Sequence, residues 1–320
     1  MSSAALTPVA SPRAAVNSAR LHLVMLLVTV CWAGNIVAVK EALWGFNPRA
    51  LAQLRVIGTA VIFLLILIAK GRLGRMRFSR RGWTLIFVTS LSGVALNQFF
   101  FIGGIARSNV AHTGLIVALG PVITLGIALL AGLEPLTTWK TAGMFVAFAG
   151  VGILTVDKTA QRGGASVAGD LILLAGTVVF ANYTVLMKEA ARQYDPLTLN
   201  TVIFTLGAVL LLPVCARPLI STHWAAIGIE AWLALGFVVL LGSVLPYSLF
   251  AYALTGISAS RAAAFNYLQP VIASSLAAWL LSERLTVKAL VGGALILIGV
   301  YLTERDREEE YGEKNRTYSG

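Results

Sequence analysis

The sequence predicts an all-α membrane protein of ten transmembrane helices, arranged as two inverted five-helix repeats around a central cavity. Three observations carry that prediction. Of 320 residues, 58% are apolar and only 12% charged, and the mean hydropathy is +0.82, a balance that excludes a soluble globule. The apolar residues gather into runs of about 20, the length at which a helix crosses a bilayer. The two halves of the chain also match each other in register.

Residues 1–20 are polar, rich in Ser and Ala, and read as a cytoplasmic N-terminal tail. A signal peptide is the competing reading. The apolar run from Leu21 to Lys40 is longer than the roughly 7–15 residues of a cleavable apolar core, and no small-x-small site closes it, so it is read as a retained first span. Breaks at charged and Pro-containing stretches place spans over 21–40, 49–69, 83–104, 109–131, 138–156, 168–188, 197–216, 231–253, 259–281 and 286–303. These runs are too long for barrel strands, so each satisfies its backbone as a helix. The charged stretch 304–320 reads as a disordered cytoplasmic tail.

The repeat is the most informative feature. Lys40-Glu41-Ala42 recurs as Lys188-Glu189-Ala190, Phe46-Asn47-Pro48 answers Tyr194-Asp195-Pro196, and Pro121-Val122-Ile123 recurs as Pro270-Val271-Ile272, all at offsets of 148 to 149 residues. Glu134 with Thr137 returns as Glu283 with Thr286, and Gly143 and Gly150 return as Gly292 and Gly299. The repeats therefore cover 21–156 and 168–303, joined by a linker at 157–167. Five spans per copy is an odd number, which inverts one copy relative to the other. Such a pair suits alternating access, because each half can take up the conformation of its twin.

With ten spans both termini share one side. Placing them in the cytoplasm puts sixteen Lys and Arg in the tails and even loops against eight in the odd loops, the bias expected of a multi-pass membrane protein. The formal charge of +11 is thereby a topology signal, and no nucleic-acid partner is indicated. Cys31 and Cys215 both lie in apolar runs and suggest neither a disulfide framework nor a metal site.

The chain resembles the EamA-type members of the drug/metabolite transporter superfamily, bacterial ten-span exporters. The residues that carry the resemblance are Cys31-Trp32-Ala33-Gly34-Asn35, the Ser-rich link before Ala111 and Pro121, its counterpart with Ser258, Ser260 and Pro270, and the endings around Glu134 and Glu283. The resemblance implies a cavity lined by spans 1, 3, 4, 6, 8 and 9 and a small-molecule substrate such as an amino acid or related metabolite. The small multidrug branch relies on a mid-span carboxylate in its first helix, where this sequence has Trp32 and Asn35, so a zwitterionic or polar neutral substrate is favoured.

No Walker loop, His-Glu-x-x-His or Gly-x-Ser-x-Gly occurs, so no nucleotide-driven, hydrolytic or cofactor-dependent chemistry is predicted. The acids Asp170, Glu189, Glu230, Glu134 and Glu283 all fall at span ends. Candidate substrate ligands are the mid-span polar and aromatic residues Trp32, Asn35, Asn97, Gln98, Phe101, Asn182, Tyr183, Tyr247, Asn266, Tyr267 and Gln269. Each could instead tie helices together; as a set they suggest a wet pocket with aromatic walls. Pro121, Pro246 and Pro270 are candidate hinges, freeing the carbonyls of Val117, Gly242 and Asn266 as acceptors or simply kinking their spans. Arg55 can pair with a carbonyl, snorkel, or meet a substrate carboxylate. His112 can shuttle a proton or sit neutral at a span end. Glu134 with Thr137 reads as a cap on the helix that follows, and the glycines of spans 5 and 10 as a close contact within the fold or at a homodimer seam. Two rival readings remain: a carrier of nucleotide-sugar or lipid-linked phosphorylated metabolites, which needs cationic groups in the cavity, and a non-transporting membrane subunit or embedded enzyme.

Overall fold

The computed structural model describes residues 18–75, 77–108, 110–159, 166–272 and 287–317. Regular structure among them is entirely helical, and seven helical stretches are long and apolar enough to cross a membrane. In the first half, α1 (Ser18–Ala42) and α2 (Pro48–Ala69) precede a stretch made of α3 (Arg80–Ser90), a π-helical segment at Leu91–Leu96 and α4 (Asn97–Ile105). Next come α5 (Val110–Val117) and α6 (Gly120–Leu130), separated by a two-residue break, and α7 (Thr138–Thr159). The second half runs α8 (Val167–Gln193), α9 (Pro196–Ile220), α10 (Ile229–Val239), a π-helical segment at Leu240–Val244, α11 (Leu245–Ala253), α12 (Ala259–Ala264) with a 3-10 turn at Phe265–Tyr267, and α13 (Val287–Thr317). The ninth expected span is described only as far as residue 272. Glu283, Thr286 and the greater part of the N-terminal tail lie outside the described residues.

Sequence matches between the halves turn into matched structural devices. Asn47 caps α2 by accepting from the Arg49 amide, with Pro48 in the first turn; Asp195 caps α9 by accepting from the Thr198 amide at 3.1 Å, with Pro196 in the same place. Each satisfies an orphan N–H, and the proline has none to lose. Lys40 reaches from α1 to the carbonyls of Ile105 and Ser108, at 2.5 and 2.7 Å, at the end of α4. Lys188 likewise reaches from α8 to the Leu254 carbonyl, at 2.7 Å, at the end of α11. A cation is favoured where helix carbonyls lack partners. Gly71 and Gly132, at φ of 60° and 66°, terminate α2 and α6 in the left-handed region that glycine enters without strain.

Lipid offers little hydrophobic drive for helix association, so close packing carries it. Helices α7 and α13 run antiparallel at backbone contact. A Cβ on Gly143 would lie 2.6 Å from the Gly299 carbonyl, and one on Gly150 would lie 2.6 Å from the Gly292 carbonyl. The glycine seam is thereby filled within the chain. Helices α2 and α9 also pack antiparallel: Gln53 donates to the Ala208 carbonyl at 2.9 Å, and the rings of Phe63 and Phe204 meet at 5.5 Å.

One expectation is overturned. The stretch after Thr303 continues α13 to Thr317 as helix. Glu, Lys and Arg are good helix formers, pairs such as Arg305/Glu309 and Glu310/Lys314 stand four apart, and elongating an existing helix needs no new nucleus.

Candidate functional site

A cavity of about 70 Å³ lies where both halves meet. The first half contributes α1, α2, α4 and the α5–α6 break; the second contributes α8, α11, α12 and the turn that follows. That volume holds roughly five water molecules at 10–15 Å³ each. Of the residues predicted from sequence, Trp32, Asn35, Asn97, Gln98, Phe101, Tyr247, Asn266 and Gln269 line it, and so does Arg55.

Three predicted residues do not line it. Asn182 is half-buried on another face of α8, about 200° around the helix from Phe180 at 100° per residue. Tyr183 is fully buried behind the wall, its ring against Gly93 and 5.8 Å from the Tyr247 ring. Tyr267 is also fully buried away from the cavity. The face that α8 does present carries Thr177, Phe180 and Thr184, spaced i, i+3 and i+7. Sequence reasoning passed over the two threonines, whose hydroxyls donate back to the carbonyls of Leu173 and Phe180, both at 3.0 Å. The His112 side chain lies outside the described residues.

The prolines mark breaks of different kinds. Pro121 is buried in the first turn of α6, after the break that separates it from α5. Pro246 opens α11, directly after a π-helical segment. Pro270 follows the 3-10 turn. The carbonyl that Pro246 frees is not left for a substrate: Arg55 Nη2 donates to the Gly242 carbonyl at 2.9 Å, and Nε donates to Ser243 Oγ at 2.8 Å. The buried Arg55, 2% exposed, thus ties α2 to the distorted turn of the other half. Its Nη1, the Asn35 Oδ1 and the Gln98 Oε1 are buried without a hydrogen-bond partner.

Elsewhere in the wall the amides are chained. Asn97 Nδ2 donates to the Gly176 carbonyl, and Gln98 Nε2 donates to Asn97 Oδ1 at 3.2 Å and to the Tyr247 hydroxyl at 3.1 Å. Gln269 donates to Asn266 Oδ1 at 3.0 Å. Trp32 stands edge-on to Phe180 and Tyr247, at 5.5 and 5.9 Å. Gln98 and Tyr247 are themselves 149 residues apart, so the equivalent positions of the two repeats touch. Tyr247→Phe keeps the ring packing and removes one acceptor; the expected loss is about 1 kcal/mol, read as a small fall in unfolding midpoint of the purified protein.

Glu134 does not cap the helix that follows it. Thr137 does so, accepting from the Lys140 amide at 3.3 Å. The Glu134 carboxylate instead accepts from the Ser260 amide at 3.1 Å and the Ser260 hydroxyl, at the start of α12 in the other half, and pairs with Lys140 Nζ at 3.1 Å. Burial alone would push this carboxyl up, but the Ser260 donors and the Lys140 ammonium hold it below its ordinary value.

Comparison with known proteins agrees with this architecture. The model of the EamA-like transporter family matches twice, over residues 20–156 and 167–305. An uncharacterized transporter of Archaeoglobus fulgidus is 26% identical, covering 89% of this chain and 98% of that one. The uncharacterized transporter YyaM of Bacillus subtilis is 25% identical over 88% of this chain and 92% of its own. A probable terminal-alkyne amino-acid exporter of Streptantibioticus cattleyicolor is 27% identical over 88% and 92%. One crystal structure shares the fold with a TM-score of 0.72 at 21% identity, covering 89% of this chain and 96% of that one.

Proposed function

This chain belongs to the EamA-like transporter family, and from that premise we propose that it is a secondary transporter exporting amino acids or related small polar metabolites across the bacterial inner membrane by alternating access. It is a multi-pass membrane protein of a family of transporters rather than enzymes. In this reading ten spans form two inverted repeats, both termini are cytoplasmic, and the substrate site is the cavity between the halves, lined by Trp32, Asn35, Asn97, Gln98, Phe101, Tyr247, Asn266 and Gln269. The observation that carries it is that cavity, walled by both halves and fitted with partnerless polar atoms. The antiparallel seam of α7 and α13 and the contact of Gln98 with its equivalent Tyr247 support the inversion.

The rival carrier of phosphorylated metabolites needs several cations at the site. Arg55 lines the cavity, whereas Lys40 and Lys188 are engaged with helix-end carbonyls. The amino-acid reading also accords with the name of the Streptantibioticus relative. Purified protein in liposomes should show saturable uptake of at least one member of an amino-acid panel, measured with and without a pH gradient. Uptake of nucleotide-sugars with none of amino acids would transfer the reading to its rival.

A further inference from the structure

Among the residues that line the cavity, those with a buried polar atom lacking a partner all come from one half of the chain. Asn35, Arg55 and Gln98 come from the first half. Their equivalents in the second half are Tyr183 (183 − 35 = 148), Ile203 (203 − 55 = 148, the offset at which Pro196 answers Pro48) and Tyr247 (247 − 98 = 149). The ring of Tyr247 lies 5.8 Å from that of Tyr183. Duplication would give both sides the same chemistry; here none of the three positions keeps its amide or guanidinium, two being tyrosine and one isoleucine in the second half.

The three partnerless atoms divide by sign. Arg55 Nη1 is a cationic donor, while Asn35 Oδ1 and Gln98 Oε1 are acceptors. An orphaned buried polar group costs free energy that a complementary ligand restores. Arg55 is also pre-aimed, because Ser243 and the Gly242 carbonyl fix two corners of its guanidinium. A fixed donor loses little entropy when it binds.

Resting on the transport reading above, we propose that the first half reads an α-amino-carboxylate head, Arg55 Nη1 taking the carboxylate and Asn35 with Gln98 accepting from the ammonium, while the second half receives an apolar side chain against Phe180 and Tyr247. The substrate therefore binds in one orientation, and both charges of the head are required. Neutral polar solutes lack the partner that Arg55 calls for.

The test uses liposomes containing the full chain and radiolabelled valine and phenylalanine, with competitors that alter only the head. For valine these are its methyl ester, isobutylamine and 3-methylbutanoate. Each is expected to compete at least tenfold more weakly than unlabelled valine. In Arg55→Gln the acid and its ester should converge to within threefold, a loss of discrimination that altered packing alone would not produce. The unaltered protein supplies the first readout, so the inference stays exposed should that variant fail to fold. Uptake of valine or phenylalanine that the ester or the amine inhibits equally well overturns the assignment of Arg55 and leaves transport standing. Absence of uptake for every amino acid removes both.

Discussion

Replacing Gly299 with alanine is expected to part α13 from α7 and to cost about 2–4 kcal/mol, the range of overpacking that backbone cannot absorb. The added Cβ would lie 2.4 Å from the Ala147 amide nitrogen and 2.5 Å from the Gly143 carbonyl. Neither is a side chain that could rotate away. The seam would have to open along its length, since Gly150 and Gly292 depend on the same close approach. Gly152→Ala, on the same α7, is the matched control. Its Cβ meets nothing within 4 Å, so it should be neutral or stabilise by about 0.5–1 kcal/mol through helix propensity. Compared by thermal unfolding in detergent, Gly299→Ala should unfold well below the unaltered protein and Gly152→Ala at or above it. Equal midpoints would show that the seam does not hold the helices.

Glu134→Ala should have an effect of similar size. The substitution leaves Lys140, 3% exposed, without its carboxylate and the Ser260 amide without its acceptor. Removing one member of a buried pair typically costs about 3–5 kcal/mol. The intact pair also sets a pH dependence. Its carboxyl is held below the unfolded value, so the stability it contributes is fully present above about pH 4.5, near the free Glu value, and is lost as pH falls through the depressed folded value. Unfolding midpoints of the unaltered protein should therefore be flat above that point and fall below it, and Glu134→Gln should flatten the fall. A Gln variant with the same acid profile would assign the dependence to other groups.

The sequence revealed much of the fold because the bilayer makes span length a direct reading of hydropathy and because duplication displays each device twice. Asn47 and Asp195, or Lys40 and Lys188, could be recognised as pairs before their partners were known. The site was legible where polar residues interrupted an apolar run, as with Asn35 and the pair Asn97-Gln98. It was not legible in α8. Composition singles out Asn182 and Tyr183, yet the cavity faces Thr177, Phe180 and Thr184, and helix phase decides among neighbours only once the packed face is known. Arg55 and Glu134 were visible as charges near span ends, but their partners, Gly242 with Ser243 and Ser260, lie in the opposite half of the chain. Contacts at such separation leave no local pattern. The helical course of the charged C-terminal stretch is a different case, in which the growth of a helix already started outweighed a composition that reads as a tail.

The widened turns at Leu91–Leu96 and Leu240–Val244 bear on how the cavity is kept in alignment. A π turn accommodates one surplus residue, which rotates everything downstream by about 100° relative to an unbroken α-helix. Asn97, Gln98 and Phe101 on one side, and Tyr247 on the other, follow such a turn and so point where they do because of a counting irregularity rather than their own identity. Shortening either segment by one residue would leave every side chain in the chain order and swing the lining away from the pocket. The azimuth of the cavity wall is therefore encoded in the length of a stretch that supplies no lining residue.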